Sequence, residues 1–238
     1  MKTIQKKPEK IVFKADINES LANAIRRSLN KVPTLAIDEI DVIKNDSALY
    51  NETVAHRMGL IPLKTNKSFK KSVEKSLGLD VSKPGDVLSG ELKGDAEVIY
   101  NEMPITTLGE GQKLKINATA KLGIGKEHSK FSPGLMFYRE NSEIVLDKKF
   151  SEEVSRLCPE NKIEEKQGKT IVQDNLSKPV SDLCEGIAEK QGKKAEVTRK
   201  DGLIITLESF GQYNLNDIVS EAVKALKGDL SEVSKALK

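Results

Sequence analysis

The side chains that most often do chemistry in proteins are scarce in this chain. His56 and His128 are its two histidines, and Cys158 and Cys184 are its two cysteines. A zinc site needs four donors, and these four residues show none of the short spacings, such as C-x-x-C, that bring ligands together. No nucleophile or carboxylate constellation surrounds either histidine in the sequence. We therefore predict no catalytic residue and no metal site, and we interpret the histidines as hydrogen-bonding groups of an interface or of packing.

A short glycine motif, Gly123-Ile124-Gly125, precedes Lys126 and is similar to part of a phosphate-binding loop. The sequence lacks the third glycine and the following helix pattern of a dinucleotide-binding fingerprint, so the motif alone is weak evidence. Pro133 follows closely and indicates a structured loop. We do not predict a nucleotide site here.

Two adjacent arginines, Arg26 and Arg27, are the other candidate functional groups. Neighbouring residues on a helix point about 100° apart, so both side chains cannot be buried on one face. They are either two solvated surface arginines, or at least one of them binds a carboxylate of another chain. The planar guanidinium gives bidentate geometry that lysine cannot match. Both alternatives stay open at this point.

The element that must carry these arginines is a helix. Apolar residues at helical spacing from Leu21 to Val32 predict it. Asp16 and Glu19 form a capping-box-like start, and Pro33 ends the helix because the residue before proline disfavours the α conformation. A strand is predicted before this helix, over 9–17.

The next part of the chain predicts mostly β structure. Residues 35–42 are extended with one phase slip, which indicates a bulge. Residues 49–58 form a short helix that ends near Gly59 and Pro62. Strict alternation of apolar residues predicts a strand over 112–122. Weaker strand patterns occupy 95–100, 134–139 and 143–147.

Two stretches differ in amino-acid composition from the rest of the chain. Residues 64–86 are rich in lysine and serine, and we interpret them as a long loop or a weak helix. Residues 149–200 are highly charged, with helical patterns at 151–157 and 178–191 and a strand pattern at 169–173. We interpret 149–200 as a small inserted subdomain with a thin core.

The C-terminal region predicts a strand at 203–207 and then a long helix from Asn214. The apolar positions of this helix keep near-heptad spacing at 219, 222, 226, 230, 233 and 237, which suits a helix–helix seam. An unbroken helix of about 25 residues would be roughly 37 Å long, and Gly228 is a possible break. The seam either packs on the Leu21–Val32 helix or forms a helical layer shared with a second chain.

Composition limits the function classes. The formal net charge is +3 and aromatic residues make up 4% of the chain, with no Trp. Stacking on bases is therefore not indicated, although a stand-alone nucleic-acid-binding protein that uses the lysines at 64–75 remains an alternative. No apolar run approaches 18 residues and no signal-peptide pattern is present. We predict a cytoplasmic protein without a membrane span.

Three motifs resemble one protein family. They are Asn23-Ala24-Ile25-Arg26-Arg27, Ala55-His56-Arg57-Met58-Gly59-Leu60-Ile61-Pro62-Leu63, and the loop from Gly123 to Pro133 with His128, Lys130 and Ser132. In this order they are similar to the α-like subunit of multisubunit RNA polymerases. The family comprises the archaeal α-like subunits, the third-largest subunit of eukaryotic polymerase II and the N-terminal domain of bacterial α. The histidines fit the archaeal and eukaryotic branch better.

The resemblance implies an α+β fold in several parts. A discontinuous dimerisation domain, with an antiparallel sheet plus two helices, would combine residues 1–43 and 201–238. A mainly β insert domain would occupy 44–148, and a small ferredoxin-like subdomain would occupy 149–200.

The resemblance also implies a function without catalysis. The chain would be an assembly platform of DNA-directed RNA polymerase. It would form a heterodimer with the small subunit L and recruit the second-largest catalytic subunit and the small subunits N and P, with DNA contacted only through the complex. The residues expected to bind the small subunit are Leu21, Ile25, Leu29, Leu215, Val219, Ala222, Leu226 and Leu230. The residues expected to bind the large subunit are Arg26, Arg27, His56, Arg57, His128 and Lys130.

The sequence departs from some relatives at 149–200. Those relatives carry an iron–sulfur cluster in an inserted ferredoxin-like domain, and such a cluster needs three or four cysteine thiolates. This chain offers only Cys158, which precedes Pro159, and Cys184. We therefore predict no cofactor.

Overall fold

The computed structural model of the chain describes residues 2–70, 72–159, 161–174 and 180–237, which form a mixture of helices and antiparallel sheets. The strands are β1 (Lys2–Lys6), β2 (Lys10–Ala15), β3 (Thr34–Asn45), β4 (Glu74–Val81), β5 (Gly85–Leu88), β6 (Lys93–Gly94), β7 (Pro104–Leu108), β8 (Leu114–Gly123), β9 (Gly134–Asp147), β10 (Ile163–Lys166), β11 (Lys169–Gln173) and β12 (Glu196–Ser209). The helices are α1 (Glu19–Leu29), α2 (Asn51–Gly59), α3 (Ser151–Leu157), α4 (Ser181–Glu189) and α5 (Leu215–Ala236). No described helix is long and apolar enough to cross a membrane.

The chain packs as two compact units, each built from two separate stretches of sequence. The first unit comprises Met1–Asn23 and Met136–Leu207, and the second comprises Ala24–Leu135 and Glu208–Lys238. These limits do not coincide with the four-part division at 44, 149 and 201, which stays a prediction. The α+β class is confirmed, since the described sheets are antiparallel and are accompanied by helices.

The second unit is organised around a four-stranded sheet with the strand order β3-β8-β4-β6. β8 alternates as predicted, with Leu114, Ile116 and Ala118 buried in the core. The apolar side chains Val54 and Met58 of α2 belong to the same core. β3 contains two register shifts along β8 where one was predicted.

Two secondary-structure predictions in this unit were wrong. The stretch 64–86 contains the strand β4, whose Leu77, Leu79 and Val81 are buried. The lysines and serines around this short alternation obscured it in the sequence. Residues 95–100 form no strand and contribute only an isolated bridge between Val98 and Leu63.

The first unit contains a six-stranded sheet with the order β1-β2-β12-β9-β11-β10. From β9 onward the elements follow one another as β9-α3-β10-β11-α4-β12, which is the β-α-β-β-α-β succession of a split β-α-β unit. The helix at 151–157 and the strand at 169–173 are present as predicted. The second predicted helix is observed as α4, and residues 178–179 lie outside the described ones. β9 is one continuous strand where two were predicted.

Two helix ends differ from the sequence-based expectation. The start of α1 is capped by Asn18, whose side-chain Oδ1 accepts a hydrogen bond from the Leu21 N–H at 2.8 Å. The predicted capping box with Asp16 was therefore wrong, although a short polar side chain does cap the helix. α5 continues through Gly228 without a break.

A core of its own stabilises the split β-α-β elements of the first unit. Phe150 is fully buried there with Ile144, Val154, Val172 and Cys184. We expect Phe150→Ala to lower the free energy of unfolding by about 3–5 kcal/mol, because truncating a buried aromatic ring leaves a cavity. Denaturant-induced unfolding measures this change. The matched control Leu157→Ala removes an exposed side chain from α3 and should change stability by about 0.5 kcal/mol or less. An equal loss in both variants would contradict this packing.

Candidate partner-binding surface

The long C-terminal helix α5 is covered by its own unit along only half of its apolar face. Leu215, Ile218 and Ala222 in its first turns are buried. Farther along, Leu230 is 61% exposed and Val233 is 57% exposed, and both point the same way at helical spacing. The helix therefore presents an apolar strip, which we call the α5 strip, formed by Leu230, Val233 and Leu237.

The eight residues expected to bind the small subunit divide into two groups. Leu29, Leu215 and Ala222 are buried by the chain itself, so their side chains serve its own core and are not available to a partner. Leu21 and Leu230 are exposed, and the other three are half-buried. Those three are Ile25, Val219 and Leu226. Contact of these five accessible residues with another chain stays a prediction.

Polar contacts fix the start of α5 against the rest of the second unit. The Tyr213 hydroxyl donates a hydrogen bond to the Pro33 carbonyl oxygen, and the Ser209 hydroxyl donates to the Tyr213 carbonyl at 2.7 Å. Burial raises the pKa of Tyr213 to about 12, with smaller contributions from nearby carboxylates. An ion pair between Lys67 and Asp217, at 2.5 Å, adds a contact one turn farther on.

A groove of about 470 Å³ lies between the C-terminal end of α1 and α5. Its charged lining residues are Arg26, Arg27, Lys31, Lys126 and Asp229. Lys31 and Asp229 form an ion pair at 2.5 Å, which links the segment after α1 to α5. The three other charged side chains, Arg26, Arg27 and Lys126, give the groove a positive charge. We call it the basic groove.

The two arginines both lie on the surface, in the last turn of α1. Their positive charge is favourable there, because the C-terminus of a helix carries partial negative charge. Among the described residues, none forms a hydrogen bond or an ion pair with the Arg27 side chain, whereas Arg26 does interact with other residues. Arg27 is therefore the arginine whose guanidinium is more available to a ligand.

The second motif is placed on α2, and its two basic residues have different environments. Arg57 donates a hydrogen bond from Nη1 to the Ile105 carbonyl oxygen at 3.0 Å, so this side chain holds α2 against β7. His56 is exposed to solvent. Arg57 is exposed as well, but one of its donors is already bound to the main chain.

The third motif forms a tight loop after β8. The Nδ1 atom of His128 accepts a hydrogen bond from the Lys130 N–H at 3.1 Å and caps a turn of 3₁₀ helix over Ser129–Phe131. The Lys130 ammonium binds Asp38 at 2.7 Å and is only 14% exposed. The hydrogen bond from Lys130 lowers the pKa of Asp38 below its usual value. Lys130 thus stabilises the loop internally, and His128 lies at its exposed side.

Some residues of this surface were not among the predicted site residues. Lys31, Lys126 and Asp229 line the basic groove, and Val233 and Leu237 extend the α5 strip. Lys31 follows Arg27 by four residues, a spacing that places two side chains on one face of the helix predicted over Leu21–Val32, although α1 itself ends at Leu29. That spacing was a usable signal, whereas nothing in the sequence pairs Lys31 with Asp229, 198 residues away.

The two cysteines are free thiols buried in the core of the first unit. Burial, with a smaller contribution from the neighbouring Cys158, raises the pKa of Cys184 to about 11. The described residues contain no group of three or more metal-ligating side chains. Two protonated thiols do not fit the three or four thiolates that an iron–sulfur cluster needs.

The amino-acid sequence of this chain is similar to those of known proteins. A model of the RNA polymerase Rpb3/RpoA insert domain matches residues 39–151. The DNA-directed RNA polymerase subunit Rpo3 of Pyrococcus horikoshii is 33% identical over 95% of this chain and 93% of its own length. The Rpo3 subunit of Pyrococcus furiosus is 35% identical over 98% of this chain and 96% of its own length.

The chain belongs to the Rpo3 family. The Rpo3 subunit of Thermococcus kodakarensis, 34% identical over 94% of this chain and 92% of its own length, supports the same assignment. The resemblance to the archaeal α-like subunits of RNA polymerase is therefore confirmed, and this Rpo3-family chain contains the insert domain of that family.

The buried Tyr213 of the Rpo3-family chain gives a pH-dependent test of how α5 is anchored. Its folded-state pKa of about 12 exceeds the usual value of 10.0. Its contribution to stability is therefore complete below pH 10.0 and is lost as the pH rises through about 12. We expect the free energy of unfolding of the natural protein to fall by about 2–3 kcal/mol more across this range than that of Tyr213→Phe.

Denaturant unfolding at several pH values measures this difference. Tyr50→Phe is the matched control, because the Tyr50 side chain is 81% exposed. The same pH dependence in Tyr213→Phe and in the natural protein would contradict the burial of a neutral phenol at this position.

Proposed function

We propose that this Rpo3-family chain is a non-catalytic assembly platform of DNA-directed RNA polymerase. It forms a heterodimer with the small subunit L, recruits the second-largest catalytic subunit and the small subunits N and P, and contacts DNA only through the complex. The observation that carries this proposal is the α5 strip, an apolar helical face that the chain's own residues leave uncovered. The complex would reside in the cytoplasm.

The α5 strip has the chemistry of a helix–helix interface. Leu230, Val233 and Leu237 continue the spacing of the residues that α5 buries earlier, so one stripe runs along the whole helix. Full burial of each such side chain contributes roughly 1.5–3 kcal/mol. A second chain with its own apolar helix gains this free energy by covering the strip, as in a coiled-coil seam.

The basic groove supports recruitment of a larger partner. Arg27 projects a guanidinium that no described residue engages, beside Lys126 and the paired Lys31. A guanidinium binds a carboxylate in bidentate fashion, which gives orientation as well as affinity. We infer that a carboxylate of the second-largest subunit binds Arg27. His56 and His128 would add hydrogen bonds at the same partner's surface.

The alternative of a stand-alone nucleic-acid-binding protein has less support. In the lysine-rich stretch, Lys67 is paired with Asp217, and Lys75 lies over the Phe69 ring at 5.9 Å. Two of the lysines therefore have partners within the chain. A groove for single-stranded nucleic acid also needs exposed aromatic rings for stacking.

The split β-α-β elements of the first unit fit the small ferredoxin-like subdomain that the resemblance implies at 149–200. The supporting observations are their element order and their separate core around Phe150. In this chain the subdomain would have a structural role without a cluster, because its two cysteines are buried free thiols.

A charge placed in the α5 strip tests heterodimer formation. We expect Leu230→Glu to reduce the recovery of L in co-purification of co-expressed chains at least tenfold, because a carboxylate in a helix–helix seam stays desolvated without a partner. Ser231→Glu introduces the same charge at an exposed position about 100° around the helix. Full recovery of L with Leu230→Glu, or equal loss with both variants, would exclude this strip as the interface.

The basic groove is tested separately. We expect Arg27→Ala to prevent binding of the second-largest subunit while leaving the heterodimer with L intact, because Arg27 lies outside the α5 strip. Co-purification of all subunits from cells that express the variant measures both events. Arg156→Ala, an exposed arginine of α3, is the control and should change neither. Recovery of the complete complex with Arg27→Ala would refute the assignment.

A further inference from the structure

The N-terminal strand β1 leaves one main-chain edge of the six-stranded sheet open. β1 pairs with β2 on one side, and no described strand pairs with its other side. None of its side chains is buried. An open edge of this kind presents unpaired N–H and C=O groups, which another extended chain can bind.

The hairpin geometry shows where the open main-chain groups lie. The Lys7 N–H donates a hydrogen bond to the Lys10 carbonyl oxygen at 2.7 Å, so these two residues form a hydrogen-bonded pair. Antiparallel pairs alternate between hydrogen-bonded and non-hydrogen-bonded types. The next pair, Lys6 opposite Ile11, is therefore of the second type. The N–H and C=O groups of Lys6 point away from β2, toward the open edge.

The same hairpin carries a concentrated positive charge. Residues 2–15 contain five lysines and a single glutamate, Glu9. Lys2 lies directly opposite Lys14 across the strand pair, and like charges in that position are destabilising. Among the described residues, none forms an ion pair with Lys2 or Lys6. Carboxylates of an added strand would relieve this repulsion.

We propose that the open edge of β1 binds an acidic, extended segment of another protein chain by strand addition. The main-chain groups of the edge supply hydrogen bonds, as in other β-augmentation complexes. Lysines such as Lys2 and Lys6 select carboxylate side chains on the added strand. This surface shares no residue with the α5 strip or the basic groove, and it goes beyond the proposed heterodimer.

Two other occupants fit the edge less well. A second copy of the chain would bring its own lysine-rich β1 against this one, and edge lysines oppose such pairing. A nucleic acid would match the charge but would find no stacking platform, since Phe13 of the hairpin is buried. The open main-chain groups specifically favour a polypeptide.

The test uses the full chain and a blocked peptide of about eight residues that alternates glutamate and valine. By fluorescence anisotropy, we expect this peptide to bind at least about tenfold more tightly than a lysine–valine peptide of equal length, a difference of about 1.4 kcal/mol. N-methylation of every second peptide nitrogen should abolish binding, because it removes the donors of strand addition. The variant Lys2→Glu/Lys6→Glu should reverse the preference between the two peptides.

The control variant Lys64→Glu/Lys70→Glu makes the same charge change in the exposed lysine-rich stretch and should leave peptide binding unchanged. The milder Lys2→Gln/Lys6→Gln variant should weaken binding of the acidic peptide and serves if charge reversal prevents folding. Equal binding of the N-methylated peptide, or equal loss in the control variant, would overturn the proposal. So would tighter binding of an oligothymidylate of about 16 nucleotides at the same lysines. Recovery of L with these variants is expected to be normal, so the two proposals fail independently.

Discussion

The incomplete burial of one amphipathic helix is the constraint on which the rest of the structure depends. α5 begins inside the core of the second unit with Ile218 and Ala222, and it then extends past the surface that could cover it. Apolar side chains in water forgo the free energy that burial would supply. The contacts of Tyr213, Lys67 and Lys31 hold the helix in this position, so the strip is presented on a fixed support.

Some polar residues of the family motifs bind other parts of the chain, whereas others are exposed to solvent and bind no distant part of the described chain. Arg57 and Lys130 are bound within the chain, where they fix α2 and the loop after β8. Arg27, His56 and His128 lie at the surface without such a long-range role among the described residues, and Arg57 is exposed as well. This division is typical of a binding protein, because rigid neighbours keep the displayed groups in place at little cost in conformational entropy when a partner arrives.

Periodicity in the sequence predicted the elements with long, regular patterns. α1, α2, β8 and α5 were all identified from it. β4 was missed because its alternation is short and surrounded by lysine and serine. The predicted contact residues Leu29, Leu215 and Ala222 proved to be core residues, since a helical stripe does not reveal where the chain's own surface ends. The basic groove depends on residues 198 positions apart, a relation that only the fold creates.

The division of each unit into two stretches of sequence has a consequence for synthesis. The second unit comprises Ala24–Leu135 and Glu208–Lys238, and Leu215, Ile218 and Ala222 of the later stretch are buried, so these contacts form only after both stretches have been synthesised. A chain that terminates before α5 lacks these buried residues, although the core around β8 lies within residues 35–122. A truncated product therefore exposes to water the apolar surface that the first turns of α5 would cover.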